Sequence, residues 1–159
     1  MTTHICIIDN EPIAIITPLI DSSIRSEKLI INYKESDLLI AKRLEKLLLP
    51  RGIKIEFCAL SNSLNIDEMK CHFRKIIENH PTEELVFNAS CGERRINLSA
   101  YAVFSEYDIP IYCVDLELDQ INWLNPDPKK PIEIENRIKV KHYLQVFGAN
   151  VTSFDAHNV

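Results

Sequence analysis

The 159-residue chain carries 46% hydrophobic and 26% charged residues, the balance of a folded globular domain and not of a disordered one, and its length fits one domain with a single substantial core. No apolar run reaches the ~20 residues that span a bilayer, and the start lacks a basic stretch followed by an apolar signal core, so a cytoplasmic protein is expected. The net charge of −5 argues against a coat for duplex nucleic acid, and a phosphate-bearing ligand would need a local basic pocket.

From the start, "HICIID" (4–9) reads as a first strand that runs into "DNEP", a turn able to begin a helix with Pro12 in its first turn. Residues 12–24 then read as helical, with Pro18 giving a kink or an early end. "KLIINY" (28–33) is apolar enough for a strand buried on both faces. Over 36–49, Ile40, Ala41, Leu44, Leu47 and Leu48 share one helical face opposite Lys42, Arg43, Glu45 and Lys46, and "PRG" (50–52) ends the helix. "IKIEFCAL" (53–60) alternates as a third strand. Asn65 and Glu68 make a capping pair for a third helix that carries Ile66, Met69, Phe73, Ile76 and Ile77 to about His80.

"ELVFN" (84–88) is the fourth strand, Ile96, Ala100, Val103 and Phe104 mark the fourth helix, and "PIYCVDL" (110–116) is the fifth strand. Four strand–helix units and a closing strand predict an α/β, Rossmann-like fold: a mainly parallel sheet with right-handed crossovers and helices on both faces. "QINWLNP" (120–126) follows a tight turn and is expected to pair antiparallel as a hairpin strand. "DPKKP" (127–131) reads as a surface loop and "IKVKHYLQVFG" (138–148) as a last helix ending at Gly148. The domain is thus expected over residues 1–148, with 149–159 a tail or the start of a linker to a further domain.

In open parallel sheets, ligands sit beyond the carboxyl ends of the strands, near the point where strand order reverses. Two loops there are chemically distinctive: "DNEP", with Asp9, Asn10 and Glu11, and "NASCGERR" (88–95). Small Ala89, Ser90 and Gly92 let backbone approach a ligand closely, and the helix start behind them offers N–H groups and a dipole to an anion. Arg94 and Arg95 can add charge-assisted hydrogen bonds of about 1.5–3 kcal/mol each. The alternative is a plain βα turn with two solvated arginines. Neither a GxxxxGK[ST] nor a GxGxxG run occurs, since the chain's three glycines, Gly52, Gly92 and Gly148, stand far apart.

The remaining candidates read as structural. Five cysteines (Cys6, Cys58, Cys71, Cys91 and Cys113) show no CxxC or metal-ligand spacing, so no disulfide framework, metal or other cofactor is expected and buried thiols are, with Cys91 set apart inside the turn. His4, His72, His80, His142 and His157 all fall outside the two loops, as surface or packing residues. Ser61, Asn62 and Ser63 read as an ordinary loop at the same sheet edge, and Trp123 as a packing or dimer-contact residue more readily than a base-stacking one.

The stretch "FNASCGERRINLSAYAVFSEYDIPIYCVDLELDQINWLNP" (87–126), with "IIDNEPIAIITPLID" (7–21), resembles the CARF domain, the CRISPR-associated Rossmann fold. It is most similar to the N-terminal sensor domain of type III CRISPR nucleases activated by cyclic oligoadenylate, over roughly residues 4–148. The resemblance implies a homodimer that binds cyclic oligoadenylate, with the tetra-adenylate favoured, across its two-fold axis. Both copies of the 9–12 and 88–95 loops would cup the ring and control an effector domain expected C-terminal to this one.

On that basis Arg94, Arg95 and the backbone of residues 89–92 hold phosphates, while Asn88, Asp9, Asn10 and Glu11 read sugar or base; capping of the first helix stays open for the last three. Many such domains carry an NxTGGTK-like turn here. Asn88 matches its Asn, Ser90 replaces Thr, Cys91 the first Gly and Glu93 the second Thr; Gly92 keeps the second Gly, and Arg94 stands where the Lys would be. Glu93 should therefore point away, pair with an arginine, or meet an adenine amino group. A rival reading is a ring nuclease in which a ribose 2′-hydroxyl attacks the neighbouring phosphate. Glu11, Glu93 or Asp9 would be its base, and Arg94 or Arg95 would stabilise charge. "VDLEL" and "PDPKK" do not make the acidic and lysine set of a metal nuclease. Neither duplex DNA nor a membrane is expected as a partner.

Overall fold

β1 (Thr2–Ile7) and β2 (Lys28–Tyr33) run through the middle of the molecule, with Ile5, Cys6, Leu29, Ile30 and Ile31 closed off from solvent. Burial on both faces is why these segments read as unbroken apolar runs. The computed structural model describes residues 1–21, 24–62, 65–126, 129–134 and 140–148. Around the two strands the chain adds α1 (Ile13–Asp21), α2 (Leu38–Leu48), β3 (Lys54–Ala59), α3 (Ile66–Asn79), β4 (Glu84–Asn88) and α4 (Arg94–Glu106). It finishes with β5 (Ile111–Asp115), β6 (Gln120–Asn125), β7 (Ile132–Glu133) and α5 (Val140–Val146).

The strands form one sheet in the order β3-β2-β1-β4-β5-β6-β7. β1 to β5 are parallel, and β6 and β7 close the far edge antiparallel. Alternation along each strand sorts the core into two layers. Ile5, Ile7 and Phe87 face α3 and α4, where Phe104 stacks near Phe73 and Phe87 at centroid distances of 5.7 and 4.9 Å. Cys6, Leu29 and Ile31 face α1, α2 and Val146 of α5. The chain winds outward from β1 through β3 with helices on one face. It then returns through α3 to β4 and winds the other way with helices on the opposite face, the doubly wound arrangement expected.

Three features add to or alter the expectations. Pro18 lies inside α1, which runs three residues further to Asp21. A proline has no N–H for the carbonyl four residues back, and here the Asn88 side-chain amide donates to that orphaned Ala14 carbonyl at 3.2 Å. β7 was not foreseen, because a two-residue strand shows no periodicity; it exists only by pairing Ile132 and Glu133 with Ile121 and Gln120. Of the cysteines, Cys6 and Cys91 are buried, Cys58 and Cys113 are half-buried and Cys71 is exposed on α3. The Asn65 cap forms as expected, its side chain accepting the Glu68 N–H at 2.8 Å. Ser63 and the 149–159 tail lie outside the described residues.

At the end of the sheet away from the two candidate loops, Lys28 joins Glu56 at 2.6 Å and Glu83 at 3.3 Å, with His80 Nε2 3.1 Å from Glu56. Burial pushes the Glu56 carboxyl up, but hydrogen bonds from Lys28 and His80 outweigh it and hold the group below its ordinary 4.5. Glu83 is likewise pushed up by burial and brought lower overall by Thr3 and Lys28. Carboxylates with depressed folded values contribute stability above the unfolded carboxylate pKa and lose it as pH falls through the folded one. Urea midpoints are therefore expected to drop as pH is lowered below about 4.5, and Glu56→Gln should flatten that slope. An unchanged slope in the variant would remove the network from acid stability.

Candidate ligand-binding site

Strand order reverses between β1 and β4, so the loops after these strands open side by side at the carboxyl edge of the sheet. They are tied together by side chains the sequence had offered as ligand contacts. Asp9 Oδ2 accepts the Gly92 N–H at 2.9 Å, and its Oδ1 accepts the Glu11 N–H at 2.8 Å. The Cys91 thiol donates to the Glu11 carbonyl at 3.5 Å. Burial, with Asp9 nearby, pushes that thiol up to about 12, so it stays protonated and belongs to the packing beneath the turn.

The 88–92 turn is held from below. Asn88, only 2% exposed, spends its amide on Ala14 and its Oδ1 on the Ser90 N–H (3.0 Å) and hydroxyl. Ser90 Oγ in turn accepts the Val114 N–H at 2.8 Å. Asn97, one turn into α4, donates to the carbonyls of Ala89 and Cys91 at 3.0 and 2.8 Å. Gly92 has φ +103°, and a Cβ there would sit 2.5 Å from Ile7 Cγ2. Glycine is required both by the backbone and by the space. Beneath all this, Tyr112 is fully buried with its hydroxyl 3.1 Å from His4 Nδ1. Burial pushes the tyrosine well up and the histidine down to about 4, so both are neutral at neutral pH.

Above the tied loops lies an open cleft of about 920 Å³. Asp9, Asn10, Glu11, Ser90 and Cys91 of the tied loops line it, together with Asp115, Glu117 and Asn122 of the β5–β6 hairpin and Tyr143 and Phe147 of the α5 region. Four carboxylates line it, and no lysine or arginine among the described residues does. Arg94 and Arg95 stand exposed on the first turn of α4. Glu93 does pair with an arginine: Arg95 Nε lies 3.7 Å from one carboxylate oxygen, while Lys34 binds the other. The hydrogen bond from Lys34 is the main reason its carboxyl sits below the ordinary value. Glu93 supplies no side-chain cap, so the first-turn N–H groups of α4 remain available as anion donors.

Lys34, Asn97, Asn122, Tyr143 and Phe147 were not singled out from the sequence, and Asp115 and Glu117 were weighed there only as the acidic residues of "VDLEL" for a metal nuclease. Lys34 had a usable signal, since it follows β2 at the same sheet edge. The others had none: Asn97 looked like an ordinary helical polar residue, and the rest come from later elements that only the fold brings near. Ser61 lies by a separate small hollow with His72 and Lys75. Trp123 packs edge-on against Tyr112 at 5.6 Å with Lys129 over its ring at 5.0 Å.

No protein-family model matches the sequence, and no curated protein matches it either. Solved structures do. Protein VC1899 from Vibrio cholerae superposes with a TM-score of 0.86 at 34% identity, over 92% of this chain and 39% of that one. Can2 from Sulfobacillus thermosulfidooxidans, in complex with cyclic tetra-adenylate, gives 0.80 at 19% identity, over 93% of this chain and 41% of that one. A type III CRISPR defence DNA nuclease activated by cyclic oligoadenylate gives 0.68 at 12% identity, over 91% and 23%. The chain has the CARF fold. It spans about two fifths of the length of the first two of these proteins, and within the CARF fold the tied loops and their cleft occupy the switch point of the sheet.

Because a Cβ at residue 92 meets the Ile7 side chain near its branch point, Gly92→Ala is expected to cost about 1–3 kcal/mol, read as a lower urea midpoint at constant m-value. A variant as stable as the parent would show that the turn can move aside.

Proposed function

We propose that this chain is a sensor domain for cyclic oligoadenylate, with the tetra-adenylate preferred, acting as a homodimer that controls an attached or partner effector in type III CRISPR defence. The observation that carries the reading is a CARF fold covering nearly the whole chain, with a preorganised cleft at its switch point. Support for the ligand class comes from Can2, which superposes over 93% of this chain and is described with cyclic tetra-adenylate bound.

The charge pattern divides the ligand between two parts of the site. Carboxylates accept hydrogen bonds and donate none, so Asp9, Glu11, Asp115 and Glu117 suit amino and hydroxyl groups and repel phosphate. Phosphates go instead to the α4 start, where the backbone of residues 89–92, the free first-turn N–H groups and Arg94 and Arg95 supply donors. Asn10 and Glu11 meet sugar or base directly, while Asp9 and Asn88 act mainly by holding the loops in shape. Two copies around a two-fold axis let each contact act twice on a symmetric ring, so modest single contacts sum to tight binding. Binding that favours one relative orientation of the two copies would shift the population seen by the effector.

Calorimetric titration with rings of three, four and six adenylates is expected to show tightest binding for four. Arg94→Ala should weaken that binding by about tenfold or more, some 1.4 kcal/mol. No binding of any adenylate ring would sink the assignment, and an unchanged Arg94→Ala affinity would remove that residue from the site. Recovery of intact ring after incubation fits a sensor, whereas linear product would turn the reading to a ring nuclease. Duplex DNA is expected to bind poorly at physiological salt, given the net charge of −5.

A further inference from the structure

Helix α5 turns two aromatic rings away from the core that holds it. His142 and Val146 are buried one turn apart, with the Arg51 guanidinium donating to His142 Nε2 at 2.9 Å and Val146 packed in the layer formed by α1 and α2. One position further round, Tyr143 and Phe147 repeat the i, i+4 spacing. The helical bond between them persists, the Phe147 N–H reaching the Tyr143 carbonyl at 3.3 Å. Their ring centroids are 4.8 Å apart, and the residues are 49% and 43% exposed. Both line the cleft.

Two large rings left in water forgo the stabilisation that burial would bring, and the exposed row of a surface helix ordinarily carries polar side chains. The remaining lining shows what the rings face. Asp9 and Asp115 are occupied by loop amides. Glu11 and Glu117 line the same cleft, and their carboxylates accept no hydrogen bond from any described residue. Aromatic rings and open acceptors in one cleft, with no cation among the described lining residues, make a site for a flat heterocycle that bears N–H donors. They do not make one for a phosphate.

We propose that Tyr143 and Phe147 form a base-stacking wall, against which an adenine of the bound ring lies while its exocyclic amino group donates to Glu11 or Glu117. This rests on the ligand class proposed above and adds which wall takes which part of the ligand. Stacking tolerates any base, because each has a π-face. The carboxylates then supply the discrimination, because hypoxanthine carries at C6 a carbonyl oxygen that a carboxylate cannot pair with, and its nearest donor, N1–H, sits on the ring one position away from where adenine's amino group projects.

The test titrates wild type and the Tyr143→Ala/Phe147→Ala double variant with cyclic tetra-adenylate, and wild type with cyclic tetra-inosinate. The double variant is expected to bind the adenylate ring about tenfold more weakly or worse at an unchanged melting temperature, and Phe147→Trp is expected to stay close to wild type. Wild type is expected to bind the inosinate ring about tenfold more weakly as well. Should the double variant melt lower, Phe147→Leu removes the ring face while keeping an apolar side chain, and gives the same reading. Equal affinity of the folded variants and wild type for the adenylate ring overturns the stacking wall and leaves the proposed ligand standing. Equal affinity of wild type for the two rings overturns the amino contact. Failure of wild type to bind any adenylate ring overturns this inference together with the reading it rests on.

Discussion

Asp9 accepts the Gly92 N–H at 2.9 Å, and that one bond spans the gap where the sheet changes winding direction. A doubly wound sheet separates the loops on either side of its switch point, because their helices leave toward opposite faces. Without a tie, two short loops would fray independently, and each would have to be ordered by a ligand at an entropic cost. Asp9 fixes its own loop through the Glu11 N–H and the neighbouring one through Gly92. Asn97 and Ser90 then secure the carbonyl and hydroxyl sides of the turn. Binding surfaces built this way owe their shape to backbone held by buried side chains, and the residues that create the shape need not touch what binds.

Pro18 shows how far the arrangement reaches into the fold. By removing one N–H from α1 it frees the Ala14 carbonyl, and the Asn88 amide is the donor that satisfies it. A buried carbonyl without a partner is costly, so helix α1 and the β4 turn are coupled through this bond. The same economy of polar groups appears under the turn, where Tyr112 and His4 meet in neutral form in a closed interior. Charge has been pushed to the two ends of the sheet: the Lys28, Glu56 and Glu83 network at one, and the carboxylates of the cleft at the other.

That distribution reshapes the picture of a basic cradle. Arg94 and Arg95 lie outside the cleft, and Glu93 holds Arg95 and Lys34 in ion pairs. Exposed pairs of this kind contribute little to stability, which makes them easy to exchange for another anion. Positive charge thus stands beside the cleft while the cleft itself stays acidic.

The sequence by itself determined the four strand–helix units, the hairpin, the Asn65 cap and the unusual turn at 88–92, because apolar period and turn chemistry act between residues a few positions apart. Within the turn it offered Asn88 and Cys91 as ligand contacts, and it carried no sign of their bonds to Ala14 and Glu11, which lie far back in the chain. Only the tertiary structure decided that Asp115, Glu117, Tyr143 and Phe147 line one cleft with Asp9 and Glu11 while the adjacent arginines do not. The physical reason is that lining a cleft depends on which helix row and which hairpin edge the packing turns inward. That choice is made by contacts such as Val146 against the α1 and α2 layer, between segments whose local patterns carry no record of one another.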